Sequence, residues 1–216
     1  QILAPVLDIN REPRMGREGE TYGEDSTLAA AMGSAYTRGV QKQGEGECRA
    51  ESVAKHYMGF HQSEGGIHGT VCSIPERLLR EVYGLPFQAA IAEENLRGVM
   101  PCYCSIGGEP VSASEHLLTQ ILRQEMGFDG VAVADYSAVS NVHHTQKLYE
   151  TEAEAGLACL SAGMDVELPD TVCFNEEMKA MFAQGKADMA LLDQAVRRVL
   201  RAKFRMGLFE HPFALT

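Results

Sequence analysis

Asp135 closes the apolar run Gly130-Val-Ala-Val-Ala-Asp135, where a buried strand would deliver a carboxylate into a cleft. On local sequence alone the same residue could equally cap the helix that follows. Lys55-His56, after Val53-Ala54, puts an amine and an imidazole side by side. Neighbours on a strand point to opposite faces, so both serve one site only if the strand bends or ends there. Otherwise the pair is structural, a lysine held by an acid beside a satisfied histidine. Asp8, Tyr103, Tyr136 and Glu167 also fall at or near the ends of apolar runs. Carboxylate, amine and imidazole are the groups of nucleophilic and acid–base chemistry. Their recurrence at strand ends is the strongest internal argument for an enzyme, because parallel α/β folds build their sites there.

The stretch from Asn10 to Asp25 is dense in arginine, acid and glycine and nearly free of aliphatic residues. Such a loop suits hydroxyl-rich ligands. It is no phosphate loop, since no Gly-Lys-Ser/Thr follows. His143-His144 lacks the i, i+4 spacing of a helical metal pair, so no metal is expected. Cys48, Cys72, Cys102, Cys104, Cys159 and Cys173 show no paired CxxC spacing and read as small buried residues.

Five apolar segments could position these groups: Ile2 to Ile9, Ser52 to Met58, Gly98 to Cys104, Gly130 to Asp135 and Met164 to Leu168. Their aliphatic content with little alternation suits strands buried on both faces, and longer segments of helical period separate them, the reading for βα units. Ser112-Ala-Ser-Glu115 reads as a capping box for a helix carrying Leu117, Leu118, Ile121 and Leu122 and stopped at Gly127. Thr151-Glu-Ala-Glu154 opens another, and from Met189 the apolar positions Leu192, Ala195, Val196, Val199 and Leu200 repeat at helical spacing. Five strands are too few for an eight-stranded barrel of about 250 residues, and a doubly wound sheet fits them equally well.

The chain has 216 residues, is 45% hydrophobic and carries a formal charge of −11, which suits one globular domain and excludes the basic footprint that nucleic acid or anionic lipid requires. No apolar run reaches the roughly 18 residues of a membrane span. No leader of charged-then-apolar type is visible, which favours the cytoplasm. The chain opens at Gln1 within an apolar segment, so the native start is expected upstream and secretion stays open.

Arg11-Glu-Pro-Arg14, Gly16-Arg17 and Glu20-Thr-Tyr-Gly-Glu-Asp25 resemble the RDPRWGR…ETYGED signature of glycoside hydrolase family 3. So do Ala54-Lys-His-Tyr57, Glu64-Gly-Gly66, Val99-Met-x-x-Tyr103, Gly127-Phe-Asp-Gly130, Ala134-Asp-Tyr136 and Ala162-Gly-Met-Asp-Val-Glu-Leu-Pro169, in order along essentially the whole chain. The resemblance implies an α/β fold, here an incomplete (β/α)8 TIM-like barrel of about five parallel strands over residues 1–216. It also implies retaining hydrolysis of β-glucosides or β-xylosides without a cofactor. Asp135 matches the family's nucleophile, Arg17, Lys55 and His56 its ligands to sugar hydroxyls, and Tyr103 a tyrosine lining the sugar site. Tyr136 stands where Trp is commoner, an aromatic wall in either case.

Ile67, followed by His68, occupies a place where the family often has a sugar-binding Arg, which leaves substrate preference open. The family's first barrel strands and its C-terminal α/β sandwich, usual source of the acid/base Glu, are expected from the parent chain or a partner chain. Should an internal carboxylate carry that role, Glu64 is the first candidate. Two rival readings remain at this point: a sugar-binding barrel without catalysis, and a lyase forming a Schiff base on Lys55.

Overall fold

A computed structural model describes residues 1–42 and 50–213. Cys48 lies outside the described residues. The chain enters through an extended segment whose Ile2 and Val6 bridge in parallel to Ser52 and Lys55. Pro5 has no N–H to give a ladder, so this segment makes two bridges rather than the continuous strand expected from Ile2 to Ile9.

Strand β1 (Val53–Tyr57) follows, then the short β2 (Val71–Cys72), β3 (Gly98–Pro101), β4 (Ser105–Ile106), β5 (Glu109–Pro110) and β6 (Val131–Ala132). β1 pairs with β3 and β3 with β6, all in parallel. Val133 then bridges in parallel to Val166, so the expected strand from Met164 to Leu168 is a single bridge backed by a 2.8 Å bond from Ala134 N–H to the Val166 carbonyl. The five segments neighbour one another in sequence order. A doubly wound sheet reverses order at its switch point, whereas this succession is a barrel wall with five of eight staves.

Helices link the segments. α1 (Ser26–Gln41) is capped by Asp25, whose carboxylate accepts from Leu28 N–H at 2.8 Å. A short α2 (Glu76–Leu78) runs into a π-wound turn, Leu79–Tyr83, before α3 (Leu85–Glu94). α1 packs on α3, where Arg38 and Lys42 meet Glu94 at 2.6 and 2.7 Å. The helix His116–Glu125 is π-wound, buries the four predicted aliphatic residues and stops at Gly127, whose φ is 74°.

The expected capping box at Ser112 and Glu115 does not form. Val111–Ala113 is a 3₁₀ turn, and Ser114 caps instead, its Oγ accepting from Leu117 N–H at 3.3 Å and donating to Glu109 at 2.8 Å. The box at Thr151 and Glu154 does form, opening α5 (Glu152–Ala162) after α4 (Ala138–His144). α6 (Glu176–Ala183) and α7 (Met189–Arg205) complete the outer layer. The α7 stripe is only partly covered, with Ala195 and Ala202 buried while Val196 and Leu200 stay exposed.

The main core joins Leu7, Tyr57, Phe60, Val99, Leu118 and Val139 between sheet and helices. Cys72, Cys102, Cys104, Cys159 and Cys173 are free thiols within it, in keeping with their reading as small buried residues. A second small sheet, β2-β4-β5, was not foreseen. Its hairpin turns through Gly107 and Gly108, both at positive φ, and this two-glycine loop between Ile106 and Glu109 was a legible signal.

Candidate active site

The first extended segment runs out at Asp8, Lys55 and His56 lie in the last three residues of β1, β3 ends just before Tyr103, and the β6 segment runs out at Asp135. The β1–β3 register slips between Lys55 and Tyr57, which face Met100 and Pro101. His56 is the extra residue of this bulge, the device that re-aims a side chain at a strand end. This answers how adjacent Lys55 and His56 can both approach one site.

His56 is closed off from solvent and anchored twice by Asp8, whose Oδ2 lies 2.7 Å from the ring Nδ1 and accepts from the His56 backbone N–H at 3.3 Å. The other ring nitrogen, Nε2, is 3.4 Å from Asp135 Oδ2 and 3.5 Å from Arg17 Nη2. A guanidinium only donates, so the Arg17 contact selects the tautomer in which Nδ1–H donates to Asp8. A doubly protonated ring would instead donate to Asp135.

Asp135 is held by its own chain, Oδ1 accepting from Tyr136 N–H at 2.7 Å, which leaves Oδ2 toward His56. Its side chain keeps 16% of its surface open, enough for a ligand to reach. Arg17 is fixed by Glu20 in a two-pronged pair at 2.7 and 2.6 Å. That hydrogen bonding holds Glu20 below its ordinary value, with Arg17, His56 and Lys55 charges adding to it against partial burial. Lys55 is thus within electrostatic reach of Glu20, yet its ammonium takes no hydrogen bond or ion pair among the described residues.

Aromatic rings wall the site. Arg17 lies over Phe60 at 5.2 Å, and the Phe60 ring is 4.7 Å from His56 and 6.2 Å from Tyr103. Tyr103 donates its hydroxyl proton to the Tyr136 carbonyl at 2.9 Å. Burial, followed by the nearby Asp135 charge, pushes that phenol up, so it remains a donor. Tyr136 itself is exposed at the rim.

The structure therefore brings Arg17, His56, Tyr103, Tyr136 and Asp135 together, with Lys55 close by. Glu167 is elsewhere engaged: its carboxylate accepts from the backbone N–H groups of Cys173 and Phe174 at 3.0 and 2.8 Å, clamping a loop. Glu64 is exposed and accepts from Ser73 at 2.5 Å. His143 meets the Tyr149 carbonyl at 2.9 Å and His144 meets Glu152 at 2.8 Å, so both make local ties. Sequence reasoning gave no role to Asp8 beyond its strand-end place, nor any to Glu20, Phe60 or His61. Glu20 sits inside the Glu20-to-Asp25 motif and was findable, whereas nothing around Phe60 distinguishes it from a core residue.

Residues 1–202 match the glycosyl hydrolase family 3 N-terminal domain. The chain is 36% identical to a beta-xylosidase of Formosa agariphila, over 96% of this chain and 30% of that protein. It is also 36% identical to a lysosomal beta glucosidase of Dictyostelium discoideum, over 98% of this chain and 27% of that protein. Among solved structures, a beta-glucosidase from Listeria innocua superposes with a TM-score of 0.92 at 32% identity, covering 98% of this chain and 29% of that one. The chain thus spans about 30% of the length of the curated relatives it matches.

Proposed function

Because this chain belongs to glycosyl hydrolase family 3, whose N-terminal domain model covers residues 1–202, we propose that it forms part of a retaining β-glycoside hydrolase with Asp135 as nucleophile. The substrates are β-glucosides or β-xylosides, as the names of its relatives suggest. One observation carries the reading: a partly open carboxylate at a barrel strand end, fixed by Tyr136 N–H and faced by the buried His56–Asp8 pair.

Retention needs two carboxyl groups about 5 to 5.5 Å apart. In the first step an Asp135 oxygen bonds to the anomeric carbon while the bond to the leaving oxygen breaks, that oxygen taking a proton from an acid. Water then attacks the anomeric carbon of the glycosyl-enzyme, giving its proton to the conjugate base of that acid, as the bond to Asp135 breaks and the carboxylate is freed. Arg17 and Lys55 donate to sugar hydroxyls, while His56 Nε2 accepts from one, and such bonds strengthen as oxocarbenium character grows. Tyr103 supports the wall beside the nucleophile, and Tyr136 stacks against the ligand at the rim. The remaining staves and the acid/base come from the rest of the parent polypeptide or from a partner chain, and residues 1–216 are one partial barrel domain.

Asp135→Ala in the natural polypeptide should abolish hydrolysis of nitrophenyl β-glycosides. Added azide should restore cleavage with an α-glycosyl azide as product, because azide attacks from the face the carboxylate has vacated. Full activity without azide would overturn the proposal.

A further inference from the structure

His68 lies outside the set of groups assigned above, yet the fold aims it at them. Thr70 N–H donates to the Ile67 carbonyl at 3.3 Å, and the Thr70 hydroxyl donates to the same carbonyl at 2.9 Å. Residues 67–70 thus form a tight turn, with Gly69 in its third position at φ 78°, the left-handed conformation a type II turn demands there. Gly66, also at positive φ, abuts Arg14: a Cβ on it would come within 2.6 Å of the Arg14 carbonyl carbon. The turn is therefore seated against the loop that carries Arg17.

The first two residues of the turn differ in what they touch. Ile67 stands out, 63% exposed. His68 turns in, its ring 4.7 Å from Tyr103 and edge-on to Phe60 at 5.1 Å. Phe60 is the same ring that packs against Arg17 and His56, so His68 shares an aromatic wall with the site's polar groups. Unlike His56, which is sealed, His68 keeps an exposed surface, and its ring nitrogens take no hydrogen bond among the described residues. A donor and acceptor packed against the Phe60 and Tyr103 rings, unspent on protein and open to solvent beside a hydroxyl-binding pocket, is placed for a ligand contact.

We propose that His68 is a specificity-determining residue that hydrogen-bonds a hydroxyl of the leaving sugar of a β-linked disaccharide. This rests on the hydrolase reading above and deepens it by assigning the leaving-group side. Partial withdrawal from water, with the Arg17 and His56 charges acting in the same sense against Cys104 and Asp135, holds the imidazole below its ordinary value. The ring therefore stays neutral near pH 7, with one nitrogen to donate and one to accept, which fits a sugar hydroxyl that does both.

The test compares His68→Phe, which keeps the ring packing, and His68→Gln, which keeps a donor and an acceptor, in the natural polypeptide. Substrates are 4-nitrophenyl β-glucoside and β-xyloside, whose leaving group carries no hydroxyl like a sugar's, and cellobiose and xylobiose. His68→Phe should raise KM for the cleaved disaccharide roughly 3- to 10-fold, the worth of one hydrogen bond, and leave the aryl glycoside unchanged. His68→Gln should recover most of that loss. Equal losses on both substrate types would place His68 on the non-leaving sugar or in the scaffold and overturn the assignment, as would no loss on either. A wild type without turnover contradicts the hydrolase reading itself. The inference is then read by calorimetry, where His68→Phe should weaken disaccharide binding and spare the monosaccharide, and unchanged binding of both would contradict it.

Discussion

Asp8 and His56 form a closed pair, Oδ2 against Nδ1 at 2.7 Å with both side chains cut off from water, so the imidazole meets Asp135 in an orientation the protein has already fixed. A carboxylate that orients a histidine is worth about 10- to 100-fold where such supporting pairs have been removed. Asp8→Asn should lower kcat/KM on an aryl glycoside by roughly that factor. Steady-state kinetics across pH checks this, and a variant within twofold of wild type at every pH would contradict a positioning role.

Lys55 separates binding from scaffold. Its ammonium takes no hydrogen bond or ion pair among the described residues, so Lys55→Ala should cost roughly 2 to 4 kcal/mol in kcat/KM, the scale of a lost preorganised donor, with little change in melting temperature. A collapse in melting temperature with nearly normal kinetics would return Lys55 to a structural role.

Asp165 predicts the reverse pattern. Its buried carboxylate accepts from Arg123 and Arg198, each at 2.8 Å, and from Ala132 N–H at 2.9 Å, tying the last strand segment to the β6 strand and to α7. Asp165→Ala strands the Arg123 charge in a closed site, at a cost of about 3 to 5 kcal/mol. Calorimetry should show a melting point lower by on the order of 10 °C. The kcat of the protein that remains folded should hold.

Acid should weaken the fold partly through His61. Its ring is 1% exposed with Nδ1 unpartnered. Burial, and then the Arg17 and His56 charges against Asp8 and Glu18, holds its pKa below the ordinary value. The unfolded chain takes up a proton near pH 6.5 that the folded chain refuses, so this contribution is complete above that pH and is lost as pH falls through the folded value. Thermal melts from pH 7.5 to 5 should decline, and more shallowly in His61→Gln. Parallel slopes for the two proteins would exclude His61.

Asp135 and the Lys55-His56 pair were legible because a polar residue closing an aliphatic run has few structural explanations once several such runs repeat. The barrel was legible in its segments but not in its closure, since periodicity does not encode which strand lies beside which. Two strands shrank to bridges for reasons visible only after pairing was known, as with Pro5. The cap at Ser114 rather than Ser112 shows the same limit: both serines offer a hydroxyl, and the 3₁₀ turn Val111–Ala113 decides which one meets the helix. Phe60 and His68 stayed silent in sequence because their importance comes from rings brought together across three separate loops.

Trapping the glycosyl-enzyme tests the central claim most directly. A 2-deoxy-2-fluoro β-glycoside with a good leaving group should add one fluorosugar mass to the natural polypeptide, and proteolysis with tandem mass spectrometry should place that mass on Asp135. Labelling of Asp8 or Glu167, or turnover without any covalent adduct, would contradict the assignment of Asp135 as nucleophile.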